Sequence, residues 1–456
     1  MSPHSSHFYY CHRVDPDYNG PQPKPPVVPR YKLSPLPRTV MAQVYGLPVV
    51  ETEEANVLGT SSNNETKQVA YFSTMGSLDS IAPDDIASHQ RVTTVLIVIH
   101  GSGRNAEDYL YGAAASLPTD QQDPNNSTVL VLAPWFLDPD DEESVKDQVY
   151  WERRNEDIPT SSSTVKSSVD YGIPIPLPPN TLRWIENGPF VSHTWRYGAN
   201  AINSNISSFA AVDLMVEKLL LLAATNRLPS LQRIVVTGHS AGGQFVQRWA
   251  LLSNSNVWNL SSLTNNLPSP TGINTNKPGI AIRVVPANPR CFAFLDERRF
   301  VVETNGTTSF RRPDDTVISS CPDYNEWIWG LDKGGDVTVP YKDQAIEKAG
   351  GAQALARRYV TERHLVYLAG GEDKEIFDDD CGSVIQGQTR LERSHAFMMS
   401  LSNVFPQEMT RGKHTRLFVP GVPHDHMLMF QSPQGQEALF GENYDDKEAR
   451  LQVVDA

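Results

Sequence analysis

The sequence predicts an α/β fold, a mostly parallel central sheet flanked by helices. Three observations predict it. Strand-like segments alternate with helix-like ones over most of the 456 residues, the pattern of βα units. Two of the strand-like segments, TTVLIVIHG (93–101) and STVLVLAPW (127–135), are nearly continuous apolar runs, as strands covered on both faces read. A third, IVVTGHSAGGQF (234–245), passes from β-branched residues through a glycine-framed turn into a helical segment.

Taken in order, residues 1–40 are crowded with proline, as in GPQPKPPVVPRYKLSPLP, which favours extended polyproline conformation and reads as a tail. The domain is expected over 41–456. MAQVYGL (41–47) and KQVAYFST (67–74) read as strands ahead of the two apolar runs. Between Phe136 and Phe190 lies a polar, proline-rich excursion read as loops. In NISSFAAVDLMVEKLLLLAATNRLP, Ser207 or Ser208 can cap a helix, Asp213 sits near its positive end, and Asn226 and Pro229 mark its stop. After the 234–236 strand, GIAIRVVPANP (279–289) is the next. A helix follows at Ala352–Tyr359, then RHLVYLAG (363–370) as a strand, a helix near Gln388–Ser402, the strand HTRLFVPG (414–421), and a last helix from near Met427 or Ser432.

Composition narrows the function. With 39% hydrophobic residues the chain can bury a sizeable core. A net charge of −14 and a pI near 5.3 argue against a nucleic-acid or anionic-membrane partner, either of which favours a basic face. No apolar run reaches the length of a membrane span, so a soluble protein is expected. The N-terminus MSPHSSHFYYCHRV lacks a secretory signal, and sequons at Asn64, Asn125, Asn126, Asn205, Asn259 and Asn305 hardly exceed the number chance supplies. The compartment stays open, secretion included. Cysteines 11, 291, 321 and 381 are too few and too scattered for a disulfide scaffold or a paired-cysteine zinc site; a bridge between Cys321 and Cys381 is the expected pairing.

The chemistry centres on Ser240. Glycines two before and two after it remove Cβ atoms from a sharp strand-to-helix turn, and the hydroxyl is presented at the sheet's edge. A serine hydroxyl needs a base, a carboxylate to orient it, and N–H donors for the oxyanion. His424, in FVPGVPHDHMLMF after the last strand, is the candidate base, with His426 the competitor. A metal reading of His424, Asp425 and His426 lacks a third imidazole or other evident ligand. Asp373 in LAGGEDKE is the candidate acid; Glu372 and, more distantly, Asp296 stay open. Asp378, Asp379 and Asp380 read as a solvated loop or cap. Ala241 should give one oxyanion N–H, and Ser102 or Gly103 in VIHGSGRNAEDY the other.

HGSGRNAEDY, GHSAGG, GGED and VPGVPHD together resemble an α/β-hydrolase of the esterase type, loosely similar to microbial feruloyl esterases and polyhydroxybutyrate depolymerases, over roughly residues 90–456. The resemblance implies an α/β-hydrolase fold and a Ser240–His424–Asp373 triad that cleaves carboxylic esters through an acyl-enzyme. No cofactor and no metal are implied. The partner would be a small-molecule or polymer ester; an amidase or peptidase with the same triad, or a non-catalytic binding protein of this scaffold, are the alternatives. HGSG stands where many relatives have HGGG, and the long gap from Ser240 to Asp373 suggests an inserted cap at about 254–360. Within it Tyr324, Trp327 and Trp329 read first as packing for the cap and second as an aromatic wall. TWRYGANAIN (194–203) reads as pocket lining or a structural turn.

Overall fold

A computed structural model describes residues 45–49, 67–78, 81, 89–122, 126–136, 194–201, 204–253, 258, 279–303, 307–332, 339–376 and 380–442. The tail expected over 1–40 and the excursion between Phe136 and Phe190 lie outside them. In chain order the strands are β1 (Tyr45–Val49), β2 (Lys67–Ser73), β3 (Thr94–Ile99), β4 (Val129–Pro134), β5 (Arg233–His239), β6 (Ala281–Ala287), β7 (Arg299–Val302), β8 (Thr308–Arg311), β9 (Leu365–Gly370) and β10 (His414–Val419). The helices are α1 (Ala106–Ala115), α2 (Ser208–Ala224), α3 (Ala241–Leu252), α4 (Asp315–Ser320), α5 (Pro340–Ala349), α6 (Ala352–Glu362), α7 (Cys381–Val384), α8 (Arg390–Val404), α9 (Pro406–Met409), α10 (His426–Gln431) and α11 (Pro433–Phe440).

Among the described residues eight strands form one sheet in the order β1-β2-β4-β3-β5-β6-β9-β10. From β4 to β10 every pairing is parallel, and β2 is antiparallel to both β1 and β4. This is the predicted mostly parallel sheet, with an antiparallel N-terminal edge. The chain runs from β4 across β3 to β5, so the sheet has a topological switch at the carboxyl ends of β3 and β5, where α/β sheets open a crevice.

Period-two alternation divides the apolar strands between two cores. Val95, Ile97 and Ile99 of β3 face one side with Phe209, Met215, Phe245, Trp249, Leu355, Tyr359 and Phe397. Leu96 and Val98 face the other with Tyr109, Leu110, Met429, Phe430 and Leu439. All six residues of β3 are buried, which is why no polar residue interrupts its apolar run. Each such side chain contributes about 1.5–3 kcal/mol by leaving water. Ser207 caps α2 by accepting from Phe209 N at 3.1 Å, as its position predicted. The helix expected at the C-terminus is two, α10 and α11, parted at Ser432, which caps α11 through Gly435 N. The C-terminal end of α11 is met by buried Arg283, whose guanidinium donates to Ala438 O and Gly441 O at 2.8 and 2.9 Å, a cation at the negative pole of the helix.

In the described part of 254–360, where a cap is expected, β6 runs through the middle of the sheet between β5 and β9, and α6 buries Leu355 and Tyr359 in the main core. The departures of this stretch from strand–helix alternation are the β7–β8 hairpin, α4 and the turn at 321–332. Buried Arg299 organises them, donating to Asp296 O, Tyr324 O, Asn325 Oδ1 and Trp329 O. Tyr324, Trp327 and Trp329 are buried, and Trp327 Nε1 donates to Tyr197 O at 3.0 Å; they pack. Cys321 and Cys381 form a disulfide with Cα atoms 5.7 Å apart, the expected pair. Among the described residues no helix is long and apolar enough to cross a membrane.

Candidate active site

The elbow follows from close packing of α3 against the strand ends. Ser240 has φ 59° and ψ −117°, a conformation that costs an L-residue about 1–3 kcal/mol. A Cβ on Gly242 would lie 2.2 Å from Ile99 O, and one on Gly238 would lie 2.5 Å from the Gly242 carbonyl carbon. Only glycine lets the first turn of α3 press into the gap beside β3. Ser240 N donates to Ala287 O at 3.0 Å, fixing the strained residue to the end of β6. Ala241 is the first residue of α3, so its N–H is one of the helix-start donors that have no intrahelical acceptor, at the positive pole of the helix.

Ser102 and Gly103 are exposed at the centre of a turn closed by Arg104 N donating to Gly101 O at 3.2 Å. His100 braces this turn. Its Nδ1 donates to Gly101 O at 2.8 Å and its Nε2 accepts from Phe136 N at 3.1 Å, a tautomer inferred from those partners. Burial drives its pKa down to about 3, so the imidazole stays neutral and structural. Trp195 packs edge-on against it, 4.5 Å between ring centroids, and stacks on Phe136; the described part of the segment, 194–201, turns around this ring.

Asp373 and His424 meet. His424 Nδ1 donates to Asp373 Oδ2 at 2.8 Å, between a fully buried carboxylate and a partly exposed imidazole. The other carboxylate oxygen, Oδ1, accepts from Arg390 Nη1 at 3.0 Å. The His424 ring lies 4.5 Å, centroid to centroid, from His239, the residue before Ser240. Burial holds His239 well below the ordinary histidine range, reinforced by His424, His426 and Arg390 around it.

The other candidates have contacts of their own. Glu372 is exposed and pairs with Lys374 at 3.2 Å, and Asp296 pairs with Arg298. His426 stacks on Tyr109 with centroids 4.2 Å apart. Asp425 caps α10 through Leu428 N at 3.0 Å. Asp380 caps α7 through Ser383 N, while Asp378 and Asp379 lie outside the described residues. The sequence reading missed Asn288. Its Oδ1 accepts from Gly370 N at 2.8 Å and its Nδ2 donates to Pro423 O at 3.4 Å, so one side chain at the end of β6 touches the strand end before Asp373 and the loop before His424. A lone Asn after a strand gives no sequence signal for that.

No family model matches the chain, and no curated relative matches its sequence. Among solved structures it is similar to a poly(3-hydroxybutyrate) depolymerase from Bordetella parapertussis, at 16% identity and TM-score 0.42, with 90% of this chain and 95% of that one covered. A poly(aspartic acid) hydrolase from Sphingomonas sp. KT-1 gives 17% identity and TM-score 0.42, with 86% and 98% covered. The siderophore hydrolase EstA from Aspergillus nidulans gives 11% identity and TM-score 0.34, with 87% and 92% covered.

Proposed function

We propose that this chain is a serine hydrolase of carboxylic esters, with Ser240 as nucleophile, His424 as general base and Asp373 as the acid that orients it. The observation that carries the reading is the bond from His424 Nδ1 to buried Asp373, made beside the strained turn that presents Ser240. With Nδ1–H committed to the carboxylate, Nε2 is the nitrogen with a free lone pair. It takes the Ser240 proton as the hydroxyl oxygen attacks the ester carbonyl, and Asp373 stabilises the imidazolium. The tetrahedral oxyanion is received by the N–H of Ala241 at the start of α3 and by that of Ser102 or Gly103 in the facing turn. Collapse expels the alcohol, which takes the proton from Nε2. Water, deprotonated by the same nitrogen, then releases the acid from Ser240. Every proton and electron pair in this cycle is handled by these side chains.

The test is Ser240→Ala, assayed with p-nitrophenyl acetate and a fluorophosphonate probe. Hydrolysis should fall by roughly 10⁶-fold and labelling should vanish. Labelling that persists on the folded variant would overturn the assignment.

A further inference from the structure

Arg390 occupies a place that local electrostatics disfavours. It is the first residue of α8, where the helix dipole favours acidic side chains. The start of the helix is pinned by a capping box in which Thr389 and Glu392 satisfy each other's backbone N–H groups. Arg393, one turn on, donates to Gly387 O and Arg290 O, each at 2.8 Å. The backbone from which Arg390 projects is therefore held on both sides. From it the guanidinium reaches Asp373 Oδ1 at 3.0 Å, the side chains 9% and 1% exposed.

We propose that Arg390 is a positioning residue for the hydrolytic site, acting through Asp373; this rests on the reading of Ser240, His424 and Asp373 given above. A buried carboxylate with one hydrogen-bond partner leaves its other oxygen unsatisfied and free to turn toward water. The Arg390 guanidinium supplies that second partner, a charge-assisted hydrogen bond to Oδ1. It also fixes the carboxylate plane. A carboxylate held by one donor can rotate about its Cβ–Cγ bond, whereas donors on both oxygens leave Oδ2 aimed at His424 Nδ1.

The experiment is a double-mutant cycle on the full chain, with p-nitrophenyl acetate turnover, fluorophosphonate labelling rate and circular dichroism as readouts. Arg390→Met should lower kcat roughly 10- to 100-fold, the range of coupling within one buried network, with KM changed less than about twofold, because the side chain is buried against Asp373. Arg390→Lys should recover most of the loss. In an Asp373→Asn background, where there is no charge to hold, Arg390→Met should cost less than about threefold. An equal cost in both backgrounds, an unchanged or raised kcat, or no recovery with lysine would overturn the proposal. Should Arg390→Met not fold, Arg390→Gln carries the same comparison. Ser240→Ala runs alongside: if it still turns over substrate, the reading of the site has failed, whereas if it is inactive and the Arg390 effects are additive, only the role of Arg390 has.

Discussion

Two buried aspartates show how a scaffold carboxylate differs from one in the proposed site. Asp213, in α2, accepts from Trp249 Nε1 at 2.8 Å, from Ser253 Oγ at 2.6 Å and from the Tyr341 hydroxyl. Asp373, at the sheet's carboxyl edge, faces Arg390 and His424. Donors that keep their protons at any working pH surround the first, so its bonds tie α2, α3 and α5 together without changing state. The second faces the imidazole proposed as the base, which is partly open to solvent. Burial alone does not separate the two; the chemistry of the donors does.

The largest effect should come from swapping the two roles. Asp373→Asn is expected to lower kcat by roughly 10⁴-fold, as removing a triad acid does, with the urea midpoint little changed. Asp213→Ala should do the opposite. Loss of its acceptor leaves the Trp249 N–H buried without a partner, a cost of about 3 kcal/mol in stability, while kcat per folded molecule stays within about twofold of the native value. A large fall in kcat for Asp213→Ala, measured well below its unfolding midpoint, would erase the distinction.

The difference between the two aspartates also marks what was legible in the sequence. The cap serine of α2, the apolar runs of β3 and β4, the elbow and the strand ends ahead of Asp373 and His424 follow from local periodicity and turn chemistry, which short windows contain. Asp373 and Glu372 follow the same strand, so local spacing ranks them only by preference; in space Asp373 is buried and Glu372 pairs with Lys374 at the surface. Arg390 and Asn288 were not readable as partners. Their bonds to Asp373 and Gly370 depend on where α8 and β6 end in space, and no spacing rule encodes that. α1 was also obscure, because Asn105 makes no side-chain cap and Gly112 interrupts its apolar face. The hairpin β7–β8 is short and its second strand is at most partly buried, so its alternation is weak.

A third buried carboxyl sharpens the comparison from the other side. Glu107 in α1 is 5% exposed, and its Oε1 has no hydrogen-bond partner. Burial, reinforced by Asp108, raises its pKa from 4.5 to about 9. With the folded value raised, its contribution to stability is fully present below the unfolded pKa near 4.5 and is lost as pH climbs through about 9. Glu107→Gln stays neutral throughout, so its stability should rise relative to the native chain with increasing pH, by about 1.4 kcal/mol per pH unit between those limits. Urea unfolding at mildly acidic and mildly alkaline pH measures the gap. A gap independent of pH would mean that Glu107 reaches solvent or a partner when charged.

Asn288 tests whether the site geometry depends on bonds outside the proposed triad. Its backbone sits at φ 42°, which asparagine tolerates better than most residues, so Asn288→Ala confounds backbone strain with lost bonds. Asn288→Gly removes the side chain and leaves no strain. Asn288→Asp keeps the oxygen that accepts from Gly370 N and turns a second oxygen toward Pro423 O, where the native amide donates. If Asn288 positions both loops, glycine and aspartate should each lower kcat by about 3- to 10-fold, the worth of one or two neutral hydrogen bonds. Aspartate would act on the His424 side alone and so retain the Asp373 side. If glycine instead matches the native kcat while alanine does not, only the backbone matters at this position. The alignment of Asp373 with His424 would then be set by their own bond and by the guanidinium behind it.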